Sequence, residues 1–320
     1  MTRPDVSVVI VNWNTRDVLR NCLASVYEQT KGVTLELIVV DNASTDGSQE
    51  MVTREFPHVR LVPNKENRGF AVANNQGIEL ADGRYVLLLN SDTIVLDCAI
   101  QKTFMFAEQH PEAAVVGCRV LNADQTVQPT CFMFPSLLNL FLSATYLYKL
   151  FPRNRFFGRE RMTWWSRDDV RNVDVVTGCF MLVRREAIQE VGAMDERFFM
   201  YAEETDWCYR FKQAGWKNLF YPEAQIIHLG GQSSARARLE MLVQLRLSVM
   251  TFCKKHYGVI CAGACTFLIG LFLLVRIPYW AMLVVVPGRH RYRATAHVKA
   301  YVQAVRCLLK GTSRFKKGVC

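Results

Sequence analysis

Several absences bound this 320-residue chain before any motif is considered. None of its 11 cysteines forms a CxxC pair, and the close couple Cys253 and His256 has no second couple to complete it. Neither a zinc site nor a disulfide framework is therefore indicated, and a reducing compartment fits better. No GxGxxG follows the first apolar run, which ends in Asn12-Trp13-Asn14-Thr15, so a nicotinamide-dependent dehydrogenase is excluded. No secretory leader is expected: Met1-Thr2-Arg3-Pro4-Asp5 leads straight into a six-residue run, too short for one and followed at once by Asn12-Trp13-Asn14, and the N-terminal half is expected in the cytoplasm. Acidic residues are missing from Lys254 to the end, where Lys254, Lys255, Arg276, Arg289, Arg291, Arg293, Lys299, Arg306, Lys310, Arg314, Lys316 and Lys317 gather. That one-sided charge, within a formal net charge of +10, suits an anionic surface. The apolar run inside the same segment favours lipid, and no nucleic-acid partner is expected. What is present is ample for a core, since 50% of the residues are apolar.

Short apolar runs alternate with helical periodicity. Val6 to Val11, Leu35 to Val40 and Tyr85 to Leu89 read as buried strands, and each stops at polar residues. After Asn14, a candidate helix cap with Asp17 three residues on, Val18, Leu19, Cys22, Leu23 and Val26 fall on one helical face. A second helix is predicted from near Gly47, and a third through Ala71, Ala73, Ile78 and Leu80. Strand alternating with helix predicts an α/β doubly wound sheet whose ligands bind at the carboxyl ends of its strands.

The polar tips are therefore the candidate site. Asp41 opens Asp41-Asn42-Ala43-Ser44-Thr45-Asp46, where a carboxylate suits a nucleobase imide or ribose hydroxyl; Ser44 and Asp46 fit helix capping equally well. Asn67-Arg68-Gly69-Phe70 offers a guanidinium and a small residue to a phosphate-bearing ligand, or is a turn before a helix. Asn90-Ser91-Asp92 ends the third run, and Asp92 is either a hard oxygen donor for Mg²⁺ or Mn²⁺ or a helix cap before Thr93. Phe198 to Arg210 sets Glu203, Glu204 and Asp206 among aromatics, where three carboxylates need a cation or a proton between them. The aromatic neighbours favour a pocket over a surface acidic face, and Arg210 offsets part of the charge. His228, after Ile226-Ile227 and before glycines, reads as a structural histidine or a neutral ligand to the same ion.

Val259 to Val275 is uncharged over seventeen residues, at the short limit for a bilayer span; Arg276-Ile277-Pro278 follows, then Tyr279 to Pro287 resumes the apolar run. A hairpin bent near Pro278, or two short crossings, keeps the flanking Lys and Arg on the cytoplasmic face, whereas one crossing puts the basic tail outside. A buried helix pair of a soluble domain is the less favoured reading. Lys299 to Lys317 is expected to lie on anionic headgroups as a basic amphipathic stretch. The division expected is a catalytic domain over 1–240, with an acceptor-side insertion at 131–170, and a membrane-associated region over 241–320 carrying the 259–287 hairpin or helix.

The ordered set VSVVIVNWN, IVVDNASTDGS, NRGFAVANNQG, YVLLLNSDT, VTGCFMLVRRE, DERFFMYAEETDWCYR and HLGGQSS, spanning about residues 5 to 235, resembles the family 2 glycosyltransferases. The likeness is to their rhamnosyltransferase-like and galactofuranosyltransferase-like branch. It implies a GT-A fold with a Rossmann-like mixed sheet and a nucleotide-sugar donor, dTDP- or UDP-linked with a rhamnose-like sugar favoured. Donor contacts would come from Asn12, Asn14, Asp41, Ser44, Asp46, Asn67, Arg68, Gly69, Asn74, Asn90, Ser91 and Gly178. Asp92 matches the last carboxylate of a DxD-type metal motif that here reads Asn-Ser-Asp, so the ion, Mg²⁺ or Mn²⁺, would rest on Asp92 and His228. Glu203-Glu204 matches the acidic pair that carries the general base, with Glu204 at the base position and Asp206 as the fallback. The implied reaction is inverting transfer to a saccharide or polyprenyl-linked acceptor for cell-surface polysaccharide, at the cytoplasmic face of the membrane. A nucleotide-sugar-binding protein without catalysis is the alternative.

Overall fold

Strand and helix alternate from the N-terminus as β1 (Val6–Asn12), α1 (Arg16–Gln29), β2 (Leu35–Asp41), α2 (Ser48–Glu55), β3 (Arg60–Pro63), α3 (Phe70–Leu80) and β4 (Tyr85–Asn90). There follow β5 (Thr93–Val95), α4 (Ala99–Gln109), β6 (Ala113–Leu121), β7 (Cys131–Phe132), α5 (Leu137–Ala144), α6 (Leu147–Leu150), β8 (Arg171–Asn172), β9 (Val175–Val176), β10 (Phe180–Arg184), α7 (Arg185–Val191), α8 (Glu203–Gln213) and β11 (Lys217–His228). The chain ends in α9 (Arg238–His256), α10 (Gly258–Val285) and α11 (His290–Lys310). This computed structural model describes residues 3–145, 147–151, 153–230, 238–285 and 290–310. Residues 231–234 of the HLGGQSS stretch, Pro287, and the basic residues Arg289, Arg314, Lys316 and Lys317 lie outside them.

The first unit comprises Met1–Phe134, Arg161–Glu196 and Glu203–Ser233. Its main sheet runs β3-β2-β1-β4-β10-β6-β11-β5, with β8 on β11. β1, β2, β3 and β4 are mutually parallel, while β10 enters antiparallel between β4 and β6. The sheet is thus mixed and of GT-A type. Its apolar runs do not alternate because both faces are covered. Val8 and Ile10 face Leu19, Leu23 and Val26 of α1, whereas Val9, Val86 and Leu88 belong to the opposite core with Ala73 of α3 and Trp207 of α8. Each such fully buried Val, Leu or Ile contributes roughly 1.5–3 kcal/mol. Gly77 lets α3 lie on β1: a Cβ there would meet Val9 Cγ1 at 2.3 Å.

Register fixes the site. Asn12 stands beside Asp41 and Val11 beside Asn90, so the last residues of β1, β2 and β4 share one edge. β11 reaches the same edge from more than a hundred residues on, by pairing His228 with Thr93.

The second unit comprises Pro135–Glu160, Arg197–Ala202 and Ser234–Cys320. The contacts therefore divide the chain differently from a boundary at 240, since the central part of the 131–170 segment groups with the C-terminal helices. Of the two forms expected for 259–287, a hairpin bent near Pro278 or a helix, the structure has the helix: α10 runs unbroken through Pro278 to Val285, and α11 packs back along it. Arg276 does not interrupt α10 because its side chain turns inward, donating to Phe272 O at 2.7 Å with its guanidinium 3.4 Å from the Phe272 ring. Cys265, Ile269, Phe272 and Arg276 form the buried side of α10, while Ile260, Phe267, Val275 and Met282, seven or eight residues apart, leave an apolar stripe exposed.

Candidate active site

The tips of β1 and β2 are joined by a closed set of hydrogen bonds. Asn12 Nδ2 donates to Asp41 Oδ2 at 2.8 Å and to Ser44 Oγ at 3.1 Å. Asp41 Oδ1 accepts from Ser44 N at 2.9 Å and from Gln49 Nε2 at 2.7 Å. Ser44 Oγ also accepts from Asn14 N at 2.8 Å, and the Asn14 side chain accepts from Thr45 N at 2.7 Å. Ser44 thus does not cap α2; it ties the β2–α2 loop to β1. Asn14 does not cap α1 either. Thr15 holds the cap position without a side-chain bond, and Asp46 Oδ2 takes the Arg16 N–H at 2.8 Å. Asp46 Oδ1 receives Ser48 N and Oγ, so one carboxylate serves the first turns of α1 and α2. Burial pushes that carboxyl up, but the Ser48 hydroxyl and the two backbone N–H groups outweigh it and hold it below the ordinary Asp range.

Ser91 turns to the same cluster, its Oγ 3.0 Å from Thr15 Oγ1, which itself donates to Asn12 Oδ1 at 2.6 Å. In the next loop, Asn67 Oδ1 accepts from Gly69 N at 3.0 Å, an Asx-type turn that leaves Arg68 exposed. Gly69 has φ +87°, a conformation that favours glycine. Asn74 is buried, bonding back to Phe70 O at 2.9 Å. Gly178 borders the same loop, where a Cβ would lie 3.2 Å from the Phe70 ring. Cys179, next along, accepts from Asn90 N at 3.1 Å.

Asp92 does not cap a helix, because Thr93 begins β5. Its Oδ1 lies 3.1 Å from His228 Nε2, and Asn90 Nδ2 is 3.2 Å from the same nitrogen. His228 Nδ1 is 2.7 Å from Gln128 Oε1. Two donor atoms about 3 Å apart match neighbouring corners of an octahedron whose ligands stand at about 2.1 Å. Among the described residues no group of three His, Cys, Asp or Glu side chains could hold an ion alone. The pair fits a metal that keeps its other positions for phosphate oxygens and water, the habit of Mg²⁺ in phosphate-binding sites.

α8 carries the acidic cluster. Glu203 is 3% exposed and Asp206 fully buried, while Glu204 is partly exposed; the segment is no surface acidic face. Burial drives the Glu203 carboxyl well above the ordinary range, reinforced by the charge of Glu204. Burial raises Glu204 too, against hydrogen bonds from its own backbone and from Glu203 that favour its charged form. The Oε2 atoms of both are buried without a hydrogen-bond partner among the described residues. Asp206 is engaged differently, pairing with Arg210 Nε at 2.8 Å. Arg210 in turn donates to Val191 O and Ala193 O at 3.0 and 2.7 Å, fastening α8 to the end of α7. Cys208 O accepts from Asn218 Nδ2 at 3.1 Å, fastening it to β11.

Sequence reasoning missed Thr15, Gln49 and Gln128. Gln49 was within reach once α2 began at Ser48, since its first turn faces back to the sheet edge. Nothing local marks Gln128, whose partner lies a hundred positions away.

With this geometry in hand, residues 7–192 match the model of Glycosyl transferase family 2. The N-acetylglucosaminyl-diphospho-decaprenol L-rhamnosyltransferase of Mycobacterium tuberculosis is 30% identical over 78% of this chain and 85% of its own. A low-salt glycan biosynthesis hexosyltransferase of Haloferax volcanii is 24% identical over 76% and 72%. Among solved structures, the mannosyltransferase of Pyrobaculum calidifontis in complex with GDP-Man and Mn²⁺ superposes with a TM-score of 0.58 at 16% identity, over 97% of this chain and 88% of that one. GalNAc-T7 with UDP, GalNAc and Mn²⁺ gives 0.53 at 16% identity over 71% and 43%. The match over more than half of the chain and the 30% identity to a relative covered to 85% show the family: the chain belongs to glycosyltransferase family 2.

Proposed function

We propose that the protein is an inverting, metal-dependent hexosyltransferase that moves a rhamnose-like sugar from a dTDP- or UDP-linked donor to a lipid-linked saccharide in cell-surface polysaccharide synthesis. The observation that carries the reading is the pair Asp92 Oδ1 and His228 Nε2, 3.1 Å apart at the carboxyl edge of the sheet. The M. tuberculosis relative's name supports both the sugar and the polyprenyl-linked acceptor.

Asp92 and His228 would hold Mg²⁺ or Mn²⁺, which would supply positive charge to offset that of the departing diphosphate. Asp41, held by Asn12, Ser44 and Gln49, offers its carboxylate edge to the nucleoside. Arg68 and the Gly69 turn approach the phosphates, while Gly178 and Phe70 border the sugar. Glu204 takes the proton of the acceptor hydroxyl as that oxygen attacks the anomeric carbon. The new C–O bond forms opposite the C–O bond to diphosphate, which breaks, and the nucleoside diphosphate leaves. Asp206 acts as a structural ion pair and Glu203 as the neutral neighbour that donates to Glu204. The exposed stripe of α10 and the basic residues flanking it hold the enzyme against the cytoplasmic face of the membrane.

The test is a product assay with dTDP-rhamnose and a panel of UDP-sugars, with Mg²⁺ or Mn²⁺, on polyprenyl-diphosphate-linked saccharides and on free sugars. Transfer to lipid-linked acceptor, lost on chelation, is expected. Transfer to soluble sugars alone overturns the acceptor; donor binding without transfer to any acceptor favours a non-catalytic binding protein.

A further inference from the structure

The β6–β7 loop carries a chain of hydrogen bonds whose polarity can run only one way. Asp124 Oδ1 accepts from Thr126 N at 3.0 Å and from Thr126 Oγ1 at 2.6 Å. These two bonds hold the Asp124 carboxyl below its ordinary range, so it stays ionised and is an acceptor only. The Thr126 hydroxyl proton is therefore spent on Asp124, and its oxygen accepts from Asn122 Nδ2 at 2.9 Å. That sets the Asn122 amide, leaving Oδ1 to accept from Gln128 Nε2 at 2.8 Å. Gln128 Nε2 also reaches His228 O at 3.3 Å, so two acceptors fix which end of this amide is nitrogen. The remaining end, Gln128 Oε1, faces His228 Nδ1 at 2.7 Å and can only accept.

We infer that the Asp124–Thr126–Asn122–Gln128 chain is a positioning device that holds His228 as the Nδ1–H tautomer, keeping the Nε2 lone pair turned to the Asp92 side for a divalent ion. Nε2 itself faces both a donor, Asn90 Nδ2 at 3.2 Å, and an acceptor, Asp92 Oδ1 at 3.1 Å, so the contact that selects the tautomer is Gln128 at Nδ1. Free imidazole has no comparable constraint, and a ligating histidine depends on the partner of its other nitrogen for tautomer and ring angle. The device rests on the metal reading of Asp92 and His228. Its origin is a polar loop that reaches His228 through Gln128.

The experiment compares wild type with Gln128→Leu, which removes the acceptor, and Gln128→Glu, which keeps one. Nitrogen-15 NMR of the metal-free full-length protein at about pH 8.5, above the ordinary imidazole range, reads the tautomer. Manganese EPR in the presence of a nucleoside diphosphate reads affinity. Nδ1–H is expected in wild type and Gln128→Glu, with conversion toward Nε2–H in Gln128→Leu and Mn²⁺ affinity weakened there by about 10–100-fold. Nε2–H in wild type, or equal loss of affinity in both variants, overturns the inference. Should Gln128→Leu fail to fold, Thr126→Val breaks the same chain on an exposed turn and is read in the same way. His228→Ala separates the readings: unchanged Mn²⁺ affinity there defeats the metal site itself, while the tautomer measurement still judges the loop.

Discussion

Glu203 and Glu204 sit one position apart on α8, and burial raises both carboxyls. A base must be ionised to work, so activity is gained as pH rises through the raised value, and the acid limb of kcat/KM should lie above the ordinary Glu value of about 4.3. Glu203→Leu, which removes a hydrogen bond favouring charged Glu204, should move that limb to higher pH, whereas Glu203→Gln, still a donor, should leave it in place. Stability follows the same sign. A carboxyl raised in the folded state gives its full stabilisation below its unfolded value and loses it as pH climbs toward the folded one. Glu203→Gln should therefore melt above wild type at pH 7 and show no advantage near pH 4. Glu204→Gln should lower kcat by about 10²–10⁴-fold with donor affinity kept, as judged by calorimetry and steady-state rates. Asp206→Ala should instead cost about 3 kcal/mol in urea unfolding, because Arg210 loses its buried partner. Turnover surviving Glu204→Gln but not Asp206→Asn would move the base to Asp206.

Among the elements, α3 depends on a missing side chain. Gly77→Ala would press a methyl into Val9, and overpacking of this kind costs about 1–3 kcal/mol in chemical denaturation. The parallel half of the sheet was legible because β1, β2 and β4 are largely apolar runs, broken only by Ser7 and Glu36, that end in Asn or Asp, as strands buried on both faces do. The antiparallel half was not. β10 lies between β4 and β6 although its partner on β4 is some ninety residues earlier, and β5 is three residues long, too short to show a period. The Asn14 cap failed for a related reason: Asp46, thirty positions away, reaches the Arg16 N–H, and a tertiary acceptor displaced the local one. The Asp92 and Glu203-Glu204 positions were legible from motif order, whereas the Gln128 contact existed only once β11 had returned to the edge of the sheet.

For the molecule as a whole, α10 is the feature most directly open to measurement. At about 1.5 Å per residue its 28 residues reach roughly 42 Å, more than the ~30 Å hydrocarbon core, with Arg276 turned inward and the exposed stripe apolar. The full-length protein should sediment with vesicles containing anionic lipid, and high salt should release only part of it, because screening weakens the Lys and Arg contacts but not apolar burial. Replacing Phe267, Leu271 and Leu274 by Ser should remove the salt-resistant fraction. The order in which the chain supplies its working parts has a consequence in time. Asn12, Thr15, Asp41, Ser44 and Ser91 close their hydrogen bonds within the first 91 residues, whereas Glu204 and His228 arrive more than a hundred residues later. During vectorial synthesis the cluster proposed to face the nucleotide is thus ready to assemble well before either the proposed base or the second proposed metal ligand exists. The exposed stripe of α10 follows later still, so on the proposed roles the parts emerge in the order donor cluster, base and second ligand, membrane contact.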